Sequence, residues 1–134
     1  MKYFLCSVCG NLIEMVDDAG NTPSCCGRTM QRLDVAVTDG NPTVHVPYII
    51  FHAQKENADV RKVTIQVGEQ MHPMESVHHI AWVTLETSCC VHRARLYPGE
   101  RPEATFYLQP GEEIRRVYAY CNLHGLWMKE IDGE

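Results

Sequence analysis

Short runs of apolar and β-branched residues, alternating with polar ones and broken by turn residues, dominate the chain. They predict strands over Val44–Phe51, Val60–Val67, Ile80–Leu85, Val91–Tyr97, Ala104–Leu108, Ile114–Tyr120 and Leu126–Lys129. Gly68, Pro98-Gly99, Pro110-Gly111 and Gly125 punctuate them. Short strands at this spacing predict a β-sandwich or barrel, and no apolar pattern of helical period runs long enough for an amphipathic helix. Upstream the pattern is weaker. Two short arms, Leu12–Val16 and Arg28–Val35, flank the turn residues Asp18-Ala19-Gly20-Asn21. A turn-rich stretch from Val37 to Pro42 reads as a linker, dividing the chain into residues 1–38 and 39–134. The first part is too short to stabilise a core unaided; domains below about 40 residues need a metal or disulfides.

Composition changes this picture at one point. The 134 residues hold seven Cys and seven His, and an odd number of thiols cannot all pair within one chain. The net charge of −5 excludes the basic face of a general nucleic-acid binder. No apolar run approaches the roughly 20 residues of a membrane helix, and Met1-Lys2-Tyr3-Phe4-Leu5-Cys6 is no signal peptide. The expected compartment is the cytoplasm, where clustered thiols signify metal or catalysis more than disulfides.

The thiols fall in two groups. Cys6-x2-Cys9 and Cys25-Cys26, each followed by glycine, offer four thiolates for a tetrahedral site, and their spacing suits zinc or iron equally. Adjacent ligands such as Cys25 and Cys26 are expected to strain the tetrahedron. Downstream, Cys121 and His124 sit three residues apart at a strand end. His72 precedes a proline, His78 and His79 follow shortly after, and His45 lies at the predicted start of a strand. Several imidazoles and one thiolate from separate segments suit a redox metal. Spacing does not choose among the histidines. His52 and His92 read as ordinary strand residues, and Cys89-Cys90 as reduced thiols short of partner ligands.

With these motifs the chain resembles a desulfoferrodoxin, a two-domain superoxide reductase. The resemblance rests on Cys6-x2-Cys9 with Cys25-Cys26-Gly27, on His45-Val46-Pro47, and on His72-Pro73-Met74 with His78. It rests also on Tyr97-Pro98-Gly99-Glu100-Arg101-Pro102-Glu103-Ala104 and on Cys121-Asn122-Leu123-His124-Gly125-Leu126-Trp127. It implies a mainly β chain: a small rubredoxin- or desulforedoxin-like metal domain followed by an immunoglobulin-like β-sandwich of neelaredoxin type. It implies two mononuclear iron sites. One is held by Cys6, Cys9, Cys25 and Cys26, where zinc is the alternative. The other is held by His45, His72, His78 and His124, with Cys121 as axial ligand and His79 outside. The implied activity is reduction of superoxide to hydrogen peroxide in oxidative-stress defence, fed by an external donor such as rubredoxin, in a homodimer.

One departure stands out. The family pattern commonly has Glu-Lys before the first histidine, and this chain has Thr43-Val44. The lysine's charge near the site would then have to come from Lys55, Arg61 or Lys62. A redox electron carrier or a structural metal protein with little such activity is therefore the alternative reading. A copper carrier using Cys121, His124, Met128 and an upstream histidine, and a zinc-bound interaction module, are the other two.

Overall fold

The computed structural model describes residues 1–36, 42–53 and 59–131. Lys55 and the linker residues from Val37 to Asn41 fall outside them. The chain divides into two compact units, Met1–Asp34 and Val35–Glu134.

In the first unit, β1 (Lys2–Leu5) is the central strand of an antiparallel sheet, between β2 (Leu12–Met15) and β5 (Gln31–Arg32). A two-residue ribbon pairs β3 (Ser24–Cys25) with β4 (Arg28–Thr29). The expected single arm Arg28–Val35 is thus two short strands, split at Met30, whose side chain turns inward. β1 carries no strand signal of its own length in sequence, because four residues show too few alternations. The apolar cluster comprises Phe4, Cys6 and Met30, with Met15 and Cys25 packed against it. Two of these five are cysteines, so the small core and the thiol cluster are continuous.

The second unit is a two-layer sandwich. One sheet has the order β10 (Glu103–Leu108), β7 (Arg61–Val67), β6 (Pro47–Phe51). The other has the order β12 (Gly125–Glu130), β11 (Ile114–Cys121), β8 (Ile80–Thr87), β9 (Val91–Arg95). All pairings are antiparallel. Among these seven strands the first, second and fifth form one sheet and the rest the other, a Greek-key division of immunoglobulin-like type. Alternation decides the layers: Val63, Ile65 and Val67 of β7 and Ala104, Phe106 and Leu108 of β10 meet Val83, Leu85, Val117 and Ala119 from the facing sheet. No helix among the described residues is long and apolar enough to cross a membrane.

The strand expected from Val44 begins later. Pro42–His45 is a helical turn, α1, and β6 starts at Pro47. Proline at the first helical position suits the turn. Val46 N–H closes it by donating to Pro42 C=O at 2.9 Å. Gly68, at φ 85°, passes so close to this turn that a Cβ there would lie 2.5 Å from the Val44 carbonyl oxygen. Only glycine combines that φ with that approach.

Candidate metal centres

At one end of the sandwich, five side chains converge. Ligand atoms of His45, His72, His78, Cys121 and His124 all lie within 4.8 Å of one another. Each comes from a different local device. His45 ends α1 and is buried. His72 follows β7 and is held by its N–H, which donates to Val67 C=O at 3.1 Å. His78 directly precedes the β8 approach. Cys121 is the last residue of β11, where the register against β8 slips between Tyr120 and Cys121. Such a slip re-aims a side chain, and Cys121 is fully buried. His124 sits in the tight turn that joins β11 to β12.

The four imidazoles form a ring. Neighbouring centroids are 4.6 Å (His45–His72), 4.6 Å (His72–His78), 5.1 Å (His78–His124) and 4.7 Å (His45–His124) apart. Neighbours stand between 70° and 85° to one another. The diagonal His45–His78 is longer, at 6.3 Å. A metal fits this arrangement. His45 Nε2 and His124 Nδ1 are 3.0 Å apart, the separation of two nitrogens bonded at right angles at about 2.1 Å each. His72 Nε2 and His78 Nε2 are buried without a hydrogen-bond partner in the protein. Buried polar atoms are otherwise satisfied almost without exception, so two orphans facing one point call for a cation there. The Cys121 sulfur lies 3.8 Å from His124 Nδ1.

Electrostatics agree with the donor set. Burial pushes the His72 imidazole down to about 4, so it stays neutral and keeps its lone pair. Its Nδ1–H donates to Pro73 C=O at 2.7 Å, which fixes the tautomer and leaves Nε2 as the donor atom. Burial pushes the Cys121 thiol up, against the pull of the Leu123 and His124 amides. A bound cation is what would hold it as thiolate.

Two positioning residues carry no signal in spacing. Asn122 clamps the loop that bears His78: its Nδ2 donates to Val77 C=O at 3.0 Å, its Oδ1 accepts from His79 N–H at 2.8 Å, and its own N–H donates to His79 C=O at 3.1 Å. Trp127 stacks on His45 at 4.7 Å and 18°. His79 is turned aside, its Nδ1 3.1 Å from Glu75 C=O. His52 bonds Thr64 at 2.7 Å, in keeping with an ordinary strand residue.

Neither Arg61 nor Lys62 reaches this end. The Arg61 guanidinium donates to the Glu112 carbonyl. Both residues start β7, about 20 Å of strand from Val67. Beside α1 there is instead a cleft of about 280 Å³ lined by Pro42, Thr43, Val46, Glu69 and one cation, Lys129. The sequence reading overlooked Lys129 because it lies 86 positions from Thr43. On β12 it shares a face with Trp127, two residues before it.

In the first unit, Cys6, Cys9, Cys25 and Cys26 form a second cluster within the same 4.8 Å limit. The Cys9 and Cys25 sulfurs are 3.7 Å apart, and those of Cys25 and Cys26 4.0 Å. Two thiolates bonded tetrahedrally at about 2.3 Å are about 3.8 Å apart, so the cluster is spaced for a metal. The expected strain at the adjacent pair is present but confined to one backbone angle: Cys26 has φ 51°, the left-handed region. That conformation costs roughly 1–2 kcal/mol, against roughly 10–16 kcal/mol for structural metal binding to such ligands. Amide hydrogen bonds from Cys9 and Val8 pull Cys6 down to about 6, whereas crowding by Cys9, Cys25 and Cys6 pushes Cys26 up to about 12. Without a cation the four sulfurs cannot all ionise together.

The comparisons bear on the whole arrangement. The family model described as desulfoferrodoxin matches residues 37–130. This chain belongs to the desulfoferrodoxin family. A desulfoferrodoxin homologue from Archaeoglobus fulgidus is 39% identical over 127 residues, 95% of this chain and 94% of the relative. The desulfoferrodoxin of Nitratidesulfovibrio vulgaris is 36% identical, covering 96% and 95%. Among solved structures, the superoxide reductase from Treponema pallidum superposes with a TM-score of 0.76 at 28% identity, over 96% of each chain. The desulfoferrodoxin relatives span both clusters, whereas the superoxide reductase of Pyrococcus horikoshii, 33% identical, matches 67% of this chain.

Proposed function

We propose that this protein is a superoxide reductase whose reaction takes place at iron held by His45, His72, His78, His124 and Cys121. The observation that carries the reading is the ring of four imidazoles beside a buried thiol, with two orphaned Nε2 atoms among the converging donors. Iron held by these residues would supply the one electron by which superoxide, with two protons, becomes hydrogen peroxide (O2•− + e− + 2H+ → H2O2), and an external donor would restore it. The chain's residues set the conditions for this. Four neutral imidazoles leave the divalent charge uncompensated, one thiolate adds electron density, and the sandwich end excludes water from the sulfur. The relatives named superoxide reductase support the catalytic reading over a mere electron carrier or structural metal protein.

The four-cysteine cluster is proposed as a second mononuclear iron site, with zinc as its alternative, that holds the small domain together and is a candidate electron relay. A rubredoxin-type donor and a homodimer complete the proposal. Metal quantification on protein purified without added metal, followed by pulse radiolysis with superoxide, tests the reading; protein without iron at the histidine site, or without peroxide formation, sinks it.

Two outcomes separate neighbouring residues. His78→Ala lowers iron content at the histidine site and abolishes most peroxide formation, whereas His79→Ala leaves both nearly unchanged. The reverse pattern, read by metal analysis and visible absorption, moves the ligand by one position.

Charge supply is testable separately. Val44→Lys places an ammonium where the family commonly has one, and the encounter rate with superoxide should rise severalfold at low salt. The gain should shrink as salt rises, since screening acts over about 10 Å at about 0.1 M. An unchanged rate means a cation already serves the site, and Lys129→Met is then expected to lower it. Thr43→Glu is expected to slow azide or cyanide exchange at the oxidised site, followed by stopped-flow absorption.

A further inference from the structure

The opposite end of the sandwich holds a third cluster. The β8–β9 turn carries Cys89, exposed, and Cys90, half-buried, with sulfurs 3.5 Å apart. Sequence spacing left this pair without further ligands. The fold brings Glu112 to it from the β10–β11 turn, and donor atoms of all three residues lie within 4.8 Å of one another. Along β8 the cluster is about 23 Å from the histidine ring.

The turn is built rigidly. Thr87 N–H donates to Cys90 C=O at 2.9 Å, and Thr87 Oγ1 accepts from the amides of Cys89 (3.4 Å) and Cys90 (3.0 Å). The same hydroxyl donates to Glu112 Oε1 at 2.6 Å. Glu112 is buried, and its carboxylate is oriented by His92 Nε2 on Oε1 at 2.7 Å and by Gln109 N–H on Oε2 at 2.8 Å. A carboxylate has about four acceptor positions. Two partners on Oε1 and one on Oε2 leave the carboxylate one further acceptor position.

Hydrogen bonding alone accounts for Glu112, which ties three segments together. It does not account for two adjacent thiols at an exposed turn, where free cysteines add little burial and invite oxidation. Their spacing approaches the roughly 3.8 Å of two thiolates on one tetrahedral ion. The chain also gathers adjacent sulfurs at Cys25 and Cys26, there at 4.0 Å.

We propose that Cys89, Cys90 and Glu112 form a third metal site, specific for a thiophilic divalent cation of the zinc type. Two thiolates and a carboxylate supply three ligands, and solvent supplies the fourth at the exposed Cys89 side. His92, Thr87 and Gln109 orient the carboxylate, the outer hydrogen bonds that such ligands need.

The test uses the full, iron-loaded chain with its thiols reduced. Zn2+ is titrated against a chromophoric chelator, and Co2+ is added in parallel to read sulfur-to-metal charge transfer. The native chain should bind one more equivalent than Cys89→Ser or Cys90→Ser. Glu112→Gln should weaken that equivalent about tenfold or more. The iron absorption should be the same in every variant. Equal zinc stoichiometry in the native chain and both serine variants overturns the proposal, as does a Glu112→Gln chain that folds and binds undiminished. Should Glu112→Gln fail to fold, the serine variants at the exposed turn decide alone.

Discussion

Cys121→Ser is expected to leave a folded sandwich that has lost the colour of its oxidised histidine-site iron and at least about a hundredfold of its peroxide formation. Serine is nearly isosteric, and the position ends β11 beside a register slip that the backbone already accommodates, so the strand pairing survives. What disappears is the one sulfur donor beside four imidazoles. A hydroxyl stays protonated where the metal would hold a thiol ionised, so charge and electron donation are lost together. Visible absorption, iron content and superoxide decay measured on one preparation separate loss of metal from loss of chemistry. An oxidised spectrum identical to that of the native protein would falsify the assignment of Cys121 as a ligand.

The second large effect is expected in the small domain. Cys9→Ser should remove one equivalent of metal per chain and unfold residues up to about 34, while the β-sandwich keeps its stability. The five-residue apolar cluster there includes two of the proposed ligands, so losing the metal opens the core as well as the site. Metal binding supplies roughly 10–16 kcal/mol in comparable sites, more than so small a core contributes. Hydrogen exchange resolved along the chain reads the outcome: fast exchange confined to the first unit is expected, and full protection there with native metal content overturns it.

The two clusters differed in how far sequence alone could reach. The four N-terminal cysteines are close in sequence, and the glycine after each pair signals the tight turns they need; proximity there is nearly covalent. All seven sandwich strands were legible from alternation, because a sheet with one buried face requires period two, and only the start of the first was misplaced. Val44-His45-Val46 mimics that alternation and misled the reading. Pro42 starts a helical turn instead, and the close pass of Gly68 holds it.

By itself the sequence determined which chemistry was available: thiols in glycine-flanked pairs, imidazoles beside prolines, and strands of the right length. These follow from local physics, from side-chain type and from backbone preferences over a few residues. Tertiary structure alone decided which donors share a centre. His78 faces the ring and His79 does not, because Asn122, over forty residues away, pins both backbone groups of His79. Arg61 is drawn to the Glu112 carbonyl at the far end, and Lys129 lines the cleft beside Thr43. Glu112 reaches Cys89 and Cys90 through the pairing of β8 with β11. Each of these depends on register across strands distant in sequence, and a shift of one residue would turn the side chain to the opposite face.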